Sequence, residues 1–461
     1  MEKSIFNAVT ILFLFAVVSC RNSDKNTTSD NTYVIETVGF GCDVNGNSEL
    51  YPAGSLVVWG DIHSHTTYSG DALEKAGCTK TPKEAFEFAR SVSLLDFVAV
   101  TDHAENIAPG NYSQLKWTNY ITQIIDFQNV NQKPIIFPAF EYTKNSVKLG
   151  GISPGNGHKN IIVYDVLHVP QRGYGSDVYD QPYYLWSFLE SSNAKGFYMS
   201  IPHHPAKGSD YDNPIIPMKT DWSSSYVDYI IQPLVEIYSR HGSSESISCD
   251  DEQVNDFVAD CSVDATLCKW LTDHNPGYKL GITGSTDTHF GTPGDVTEVQ
   301  SNIDARLGYW TGGLTGVWVT ETSRSNIWSN LKSKNCYGTS GSRLRLEFTI
   351  KLGSSIAKMG GTLQHTETLQ TKNIGKANIH INALAEQGKT VSRIQIFRNG
   401  KVIYDTTSPL SGSKIHVDYL DNLDTDYAYY RVKVWQPSSN TLNKNIPFER
   451  VWSSPIWIEK R

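Results

Sequence analysis

The sequence predicts an α/β domain followed by an antiparallel β-sandwich, and three observations support this prediction. Between Ser55 and Arg343, short apolar runs typical of strands alternate with helical stretches, which indicates βαβ units and a parallel sheet or barrel. In nearly every run the polar residues stand at the C-terminal end, the edge at which α/β barrels build their sites. After Arg343 the apolar residues alternate in twos, which predicts strands with one buried face.

The first domain is expected to extend over residues 51–343. Its strand-like runs are SLVVWGDIH, LLDFVAVTDH, KPIIFPAFEY, KNIIVYDV, KGFYMSIPHH and YKLGITGSTDTH. Between the first two lies TPKEAFEFARS, in which Thr81 is suited to cap a helix and Pro82 to open it. The remainder of the domain repeats this alternation of strand-like and helical segments.

Residues 344–461 are expected to form the β-sandwich. The alternating runs are LRLEFTIKL, ANIHINALAE, SRIQIFRNGKVIYD, YAYYRVKVWQ and SSPIWIEK. The dipeptide Asn399-Gly400 between two of these strands predicts a two-residue hairpin turn. No linker rich in Gly, Pro or Ser separates the sandwich from the first domain, so we expect a packed interface between them.

The composition is that of an ordinary globular protein. Of the 461 residues, 39% are hydrophobic and 19% are charged, which excludes a largely disordered or fibrous chain. The net charge of −8 argues against attraction to nucleic acid through a general positive field. We therefore expect no nucleic-acid partner.

The N-terminus predicts export and a lipid anchor. The apolar run over residues 5–18 is too short to span a bilayer comfortably, so residues 1–19 are predicted to be a signal peptide. The run ends in VVSC, which resembles a bacterial lipobox, and Cys20 is the expected lipidation site. An ordinary secretory signal with an incidental cysteine is the alternative. Residues 20–50 are expected to be a lipidated tether and N-terminal segment, which would place the protein in the bacterial cell envelope, in the periplasm or at the outer membrane.

Six further cysteines predict disulfide bonds, because an exported protein meets an oxidising environment. We expect one bridge between Cys42 and Cys78, which flank the first strand. We expect at least one more from Cys249, Cys261 and Cys268, which lie in a long polar insertion. The absence of a Cys-x-x-Cys motif disfavours a thiolate metal site.

Histidine and carboxylate residues mark the ends of the predicted strands. His63 and His65 close the first run, and the alternation of side chains on a strand lets both imidazoles reach one ion. The corresponding residues at later strand ends are His103, Glu141, His203-His204 and Asp287-Thr288-His289. Such recurrence is unusual for core packing and predicts a metal site.

Six ordered segments resemble the polymerase and histidinol phosphatase (PHP) superfamily of metallo-hydrolases. They are GDIHSHTTYSGDA, TDHAE, FPAFEY, GHKNIIVY, IPHHP and GSTDTH. The segments VEIYSRHGSSE and GGLTGVWVTETSRSNIWSNLKSKNCYGTSG resemble more narrowly DUF3604, a bacterial PHP family of unknown function. The resemblance implies a distorted (β/α)7 barrel with metal ions at the C-terminal ends of its strands.

The resemblance also implies three groups of metal ligands. The first ion would be held by His63, His65, Glu141 and Asp287, which form the expected catalytic centre. Glu141 would bridge to a second ion completed by His158 and His203, and the third would be held by Asp71, His103 and His289. Imidazole and carboxylate donors suit Zn²⁺, Mn²⁺ or Fe²⁺, so two to three such ions are expected.

Several neighbours of these ligands have two interpretations. Of the adjacent His203 and His204, alternation points only one inward, and His203 is favoured by its motif position. Asp61 and Asp102 are expected either to orient the ligands or to cap strand ends.

Arg240 and His241 are candidates for binding a substrate phosphoryl group. The alternative for Arg240 is a structural salt bridge with Glu236 or Glu245.

These residues predict a metal-dependent phosphoesterase acting on a small phosphorylated substrate outside the cytoplasm. The positive charge of the ions would exceed the negative charge of the carboxylates, and the remaining positive charge suits a phosphate group. A hydroxide bridging two metals would attack phosphorus. A metal-dependent amide or lactone hydrolase of amidohydrolase type is one alternative, although such enzymes use a metal-bridging lysine where this chain has Glu141. A non-catalytic surface binding lipoprotein is the other.

Overall fold

A computed structural model of the chain describes residues 54–104, 113–143, 147–148, 151–152, 157–175, 178–179, 181–191, 196–209, 218–246, 248, 253–297, 310–366, 375–406, 410–438 and 447–461. The predicted signal peptide and tether, with Cys20, Cys42 and Cys249, lie outside the described residues. The described part is a mixed α/β structure with more strand than helix. None of its helices is long and apolar enough to cross a membrane.

The helices lie in the first part of the chain. They are α1 (Pro82–Ser91), α2 (Ser113–Val130), α3 (Pro182–Ser191), α4 (Val263–Asp273) and α5 (Arg324–Lys332), with a π-helical turn at Asp71–Lys75 and 3-10 turns at Ser224–Tyr226, Ala259–Cys261 and Pro276–Tyr278. The predicted start of α1 is confirmed, because Thr81 and Glu84 form a reciprocal capping box and Pro82 is its first residue.

The strands of the first part begin with β1 (Leu56–Asp61), β2 (Phe97–Val98), β3 (Ile135–Ile136), β4 (Ala139–Thr143), β5 (Val147–Lys148), β6 (Gly151–Ile152) and β7 (His158–Val163). They continue with β8 (Tyr198–His203), β9 (Leu234–Ser239), β10 (Gly242–Ser243), β11 (Gly281–Gly284), β12 (Leu314–Val319) and β13 (Cys336–Thr339). All six strand-like runs of the sequence therefore contain strands, and KPIIFPAFEY contains two.

The strand directions differ from those of an all-parallel barrel. Strands β1, β2 and β3 are parallel neighbours, and β11 is parallel to β9. Strand β7, however, runs antiparallel to both β4 and β8. The connection from β4 to β7 contains the short hairpin of β5 and β6 where a parallel crossover would need a helix. The expectation of parallel strands throughout is wrong for this segment.

The second part contains mainly antiparallel strands that form two sheets, with one parallel pair at a sheet edge. They are β14 (Arg345–Leu352), β15 (Ser355–Lys358), β16 (Thr362–His365), β17 (Lys376–Leu384), β18 (Arg393–Arg398), β19 (Lys401–Asp405), β20 (Lys414–Asn422), β21 (Tyr427–Pro437), β22 (Phe448–Ser453) and β23 (Ile456–Lys460). One sheet has the order β15-β14-β17-β20, and the other contains β16, β18, β19, β21, β22 and β23. The predicted hairpin is confirmed, because Asn399 and Gly400 both have positive φ and join β18 to β19.

The two parts share a continuous sheet. Strand β13 pairs with β12 on one side and with β22 on the other, so backbone hydrogen bonds pass from the first part into the second. Trp452 of β22 also stacks on Tyr238 of β9, with ring centroids 5.6 Å apart. The expected packed interface is therefore present, and it includes paired strands.

The disulfide predicted within the polar insertion is not formed by its described cysteines. Cys261 and Cys268 are free thiols, so no bridge joins two members of the group of Cys249, Cys261 and Cys268. The reason is packing, because Cys268 Sγ lies 3.2 Å from Tyr429 Oη of β21. The partner predicted for Cys78, Cys42, lies outside the described residues.

Candidate metal centre

The structure brings together all nine residues of the predicted ligand set. His63 and His65 follow β1, His103 follows β2, and Glu141 lies in β4. His158 is the first residue of β7 and His203 the last of β8, so the antiparallel direction of β7 brings both to the same end of the sheet. Asp71 begins the π-helical turn, and Asp287 and His289 follow β11.

The first group surrounds one position. His63 Nε2 lies 3.2 Å from Asp287 Oδ1 and 3.6 Å from Glu141 Oε2. His65 Nε2 lies 3.4 Å and 3.3 Å from the same two oxygens. All four side chains are buried. Two imidazole nitrogens and two carboxylate oxygens form a donor set suited to Zn²⁺, Mn²⁺ or Fe²⁺.

The second group shares Glu141 with the first. Glu141 Oε1 lies 2.8 Å from His158 Nδ1 and 3.4 Å from His203 Nε2, while Oε2 faces the first group. A carboxylate with one oxygen in each group has the arrangement expected of a bridging ligand.

The third group is centred on Asp71. Its Oδ2 lies 3.0 Å from both His103 Nε2 and His289 Nε2. The ring of His65 stacks on that of His289 at 4.4 Å, so the third group adjoins the first.

Three polar side chains contact the Nδ1 atoms of three histidines in these groups. Glu236 Oε2 lies 2.9 Å from His63 Nδ1, Ser69 Oγ lies 3.0 Å from His65 Nδ1, and Thr143 Oγ1 lies 2.8 Å from His103 Nδ1. Such contacts fix the ring orientation and direct Nε2 toward the centre. The sequence suggests Glu236 only as a partner for Arg240, although a carboxylate inside the apolar strand LVEIYS indicates a buried partner.

Asp61 and Asp102 support the backbone rather than the imidazoles. Asp61 accepts hydrogen bonds from the backbone N–H groups of His63, Thr286 and Gly294. Asp102 accepts from both the backbone and the hydroxyl of Thr66, each at 2.7 Å. Asp61 and Asp102 therefore connect neighbouring strand ends, which agrees with the interpretation that they cap strands.

His204 lies in the cluster beside His203, whereas alternation along β8 predicts that only one of the pair points inward. His204 has φ +32, which ends the alternation of β8 and turns its ring toward the cluster. The rings of His203 and His204 lie 4.5 Å apart, and His204 belongs with His158 and His203 to a set of close donor atoms. Asp287 also has a positive φ, of +55. Strained backbone of this kind is characteristic of functional sites.

His241 contacts the first group directly. Its Nε2 lies 3.0 Å from Asp287 Oδ2, and its Nδ1 lies 3.4 Å from the ammonium of Lys207. Because an ammonium only donates, Nδ1 is the acceptor and Nε2 carries the proton that it donates to Asp287. The backbone N–H of Arg240 donates to Thr286 O, and its guanidinium lies 5.8 Å from the Phe290 ring.

The alternative partners of Arg240 have other contacts. Glu236 contacts His63, and Glu245 contacts Arg431 and Lys433 of the second part of the chain.

The electrostatics keep the carboxylates charged. Burial alone would raise the pKa of Glu141, but His103 and His203 outweigh it and hold that pKa well below its usual value. Burial likewise opposes the ionisation of Asp287. His63 and His241 outweigh this effect and hold the pKa of Asp287 well below its usual value. Burial lowers the pKa of His203 and His204 well below the usual value, which favours the neutral imidazole whose lone pair a metal ion binds.

The buried nitrogens of the cluster fit a metal ion. His158 Nε2 and His203 Nδ1 are buried and have no hydrogen-bond partner among the described residues. Leaving such atoms without a partner costs free energy, about 1–3 kcal/mol each. Histidine and carboxylate donors gathered at this density are the ligands that divalent ions use in proteins.

Comparison with known proteins shows a family resemblance over part of the chain. A family model described as "Protein of unknown function (DUF3604)" matches residues 53–132 and 295–398. The predicted resemblance to DUF3604 is confirmed for these two segments. They contain His63, His65, Asp71 and His103, and the second segment extends beyond Arg343 into β18.

The curated relatives include uncharacterised proteins of Chlamydia. One from Chlamydia pneumoniae is 22% identical over 87% of this chain and 57% of its own length. One from Chlamydia muridarum is 26% identical over 49% of this chain and 34% of its own length. The chain thus spans about a third to just over half of the length of these relatives.

Among solved structures, a two-domain protein from Bacteroides vulgatus is described as containing a predicted PHP-like metal-dependent phosphoesterase. It is 13% identical to this chain, with a TM-score of 0.38 over 83% of this chain and 91% of the other.

Proposed function

We propose that this protein is a metal-dependent phosphoesterase of PHP type that hydrolyses a small phosphorylated substrate. The observation that carries the proposal is the sharing of carboxylates among three groups of imidazoles. Glu141 has one oxygen in each of two groups, and Asp71 contacts two further histidines. A single ion needs far fewer donors, so the cluster suits two to three divalent ions.

The chain's own residues would position the reacting groups. His63, His65, Glu141 and Asp287 would hold the first ion, Glu141 with His158 and His203 the second, and Asp71, His103 and His289 the third. Divalent ions at such a site supply Lewis acidity toward phosphoryl oxygens and lower the pKa of water. Glu236 would keep the lone pair of His63 Nε2 directed inward.

Substrate binding is proposed for the loop that contains Arg240 and His241. Arg240 is 6% exposed and follows β9 beside the site, where a guanidinium can bind phosphate oxygens. His241 has a second role in holding Asp287. The seven-stranded barrel, the lipid anchor at Cys20 and the location in the cell envelope are parts of the proposal that are supported by the sequence.

The test is hydrolysis of a panel of aryl phosphates, phosphodiesters, amides and lactones by full-length protein loaded with Zn²⁺, Mn²⁺ or Fe²⁺. The proposal predicts metal-dependent turnover of at least one phosphate ester, which His65→Ala abolishes. Turnover of amides or lactones alone would favour the amidohydrolase alternative. Binding of no metal at all would favour the non-catalytic alternative.

A further inference from the structure

One short hairpin contains two residues that contact the first metal group. Glu236 in β9 contacts His63, and His241 at the tip contacts Asp287. Beyond the tip, Gly242 of β10 pairs with Ser239. The positions of His63 and Asp287 therefore depend on the position of this hairpin.

Two residues beyond β10 lies Glu245, whose carboxylate contacts three donors from the second part of the chain. Arg431 Nη1 lies 2.7 Å from Oε1, and Lys433 Nζ lies 2.5 Å from Oε2. The indole N–H of Trp452 donates to Oε2 at 2.9 Å. Glu245 is 1% exposed, Arg431 0% and Lys433 3%, so water does not replace these bonds.

The same arginine makes a second, separate contact. Arg431 binds Asp264 in the first turn of α4 through two hydrogen bonds of 2.9 Å and 2.7 Å. Asp264 lies in α4, outside the hairpin that contacts the metal group, and its backbone N–H donates to Glu245 O at 3.1 Å, a bond that a change of side chain keeps. The two carboxylates therefore allow the stability of the interface to be separated from the position of the hairpin.

We propose that Glu245 is a positioning residue, through which the C-terminal sheets hold the hairpin against the metal centre. In this account the second part of the chain completes the first metal position by fixing His241 on Asp287 and Glu236 on His63. The inference rests on the proposed function only in requiring that a divalent ion occupies this position. A buried charged partner on each oxygen, at 2.7 Å and 2.5 Å, is a stronger restraint than packing alone.

The test compares Glu245→Gln with Asp264→Asn in full-length protein. Each change removes one buried carboxylate from Arg431, so both should lower the thermal midpoint of unfolding. Metal affinity is measured by competition with a chromogenic chelator, using Zn²⁺ and Mn²⁺. Glu245→Gln should weaken the tightest site by about 10–100-fold, the range typical of residues that orient ligands. Asp264→Asn should leave it within about 2-fold of the unchanged protein, since the Asp264 carboxylate lies on α4 and binds Arg431, outside the hairpin that contacts His63 and Asp287.

The outcomes separate the inference from the proposed function. Equal metal affinity in Glu245→Gln and the unchanged protein, or equal loss in both variants, would overturn the role of Glu245. Unchanged protein that binds no metal would instead overturn the proposed function. If Glu245→Gln does not fold, Trp452→Phe takes its place, because it removes one donor to Glu245 and keeps an aromatic ring on Tyr238. Trp452→Phe should weaken metal binding by a smaller factor than Glu245→Gln. An unchanged metal affinity in Trp452→Phe would contradict the inference.

Discussion

Glu236 Oε2 lies 2.9 Å from His63 Nδ1, and both residues are 1% exposed. This contact determines which imidazole nitrogen can bind a metal ion. When the proton is on Nδ1, the lone pair is on Nε2, which is directed toward Asp287 and Glu141. A carboxylate behind a ligand histidine also raises its basicity and its affinity for a metal.

The first prediction is that Glu236→Gln lowers metal affinity and phosphoesterase activity together, by about 10–100-fold. The amide keeps the shape of the side chain but loses the charge that polarises His63. Glu347→Gln is the matched control, since Glu347 is also buried but lies in β14 and contacts Asn382. Isothermal titration with Mn²⁺ measures the effect, and an equal loss in both variants would contradict the role of Glu236.

The second prediction is that His65→Ala abolishes activity and leaves the β-sheets of the second part folded. His65 contacts both Glu141 and Asp287 and stacks on His289, so its loss affects the first and third groups together. Far-ultraviolet circular dichroism should retain its β signal while turnover falls below detection. Undiminished turnover in a folded variant would show that the site is assigned to the wrong residues.

The third prediction concerns pH and stability. Burial raises the pKa of Glu347 from 4.5 to about 7, although a hydrogen bond from Asn382 partly opposes the shift. The folded state therefore binds a proton more tightly than the unfolded chain does, and the free energy of unfolding should fall as pH rises from about 4.5 to about 7. The loss is on the order of 3 kcal/mol.

Denaturant unfolding at pH 5 and pH 8 measures this effect. The unchanged protein should lose stability relative to Glu347→Gln between these two values, because glutamine does not ionise. Parallel stability curves for the two proteins would contradict the prediction.

The fourth prediction is that truncation after Arg343 destroys the site. The cut removes β22, which pairs with β13, and Arg431 and Lys433, which bind Glu245. The remaining part would expose one edge of β13 without a neighbouring strand and would leave the Glu245 carboxylate without these two cations. Size-exclusion chromatography and activity measure the result. A soluble, monomeric and fully active truncated chain would show that the two parts are independent.

The grouping of the nine candidate ligands could be anticipated because most of them stand at strand ends and the ordered motifs resemble the PHP superfamily. The cap at Thr81 and the turn at Asn399 were also predictable, since both depend on neighbouring residues alone. The direction of β7 was not, because a short connection can return as a hairpin or cross over. The inclusion of His204 depended on one positive φ, which histidine adopts only when the surrounding fold requires it.

Contacts between residues that are distant in the sequence were the hardest to predict. Glu245 and Lys433 are separated by 188 positions, and no local pattern indicates that they meet. Cys268 was expected in a disulfide, but its thiol packs against Tyr429, which is distant in sequence. Such contacts arise from the pairing of the two parts of the chain and not from any single element.

The central claim is that the cluster binds several divalent ions, and elemental analysis tests it most directly. Full-length protein purified without chelator, at a concentration set by amino-acid analysis, should contain two to three equivalents of Zn, Mn or Fe per chain. Glu141→Gln should lose at least one equivalent, because Glu141 contacts two of the groups. Fewer than one equivalent in the unchanged protein, after dialysis against each metal in turn, would contradict the account.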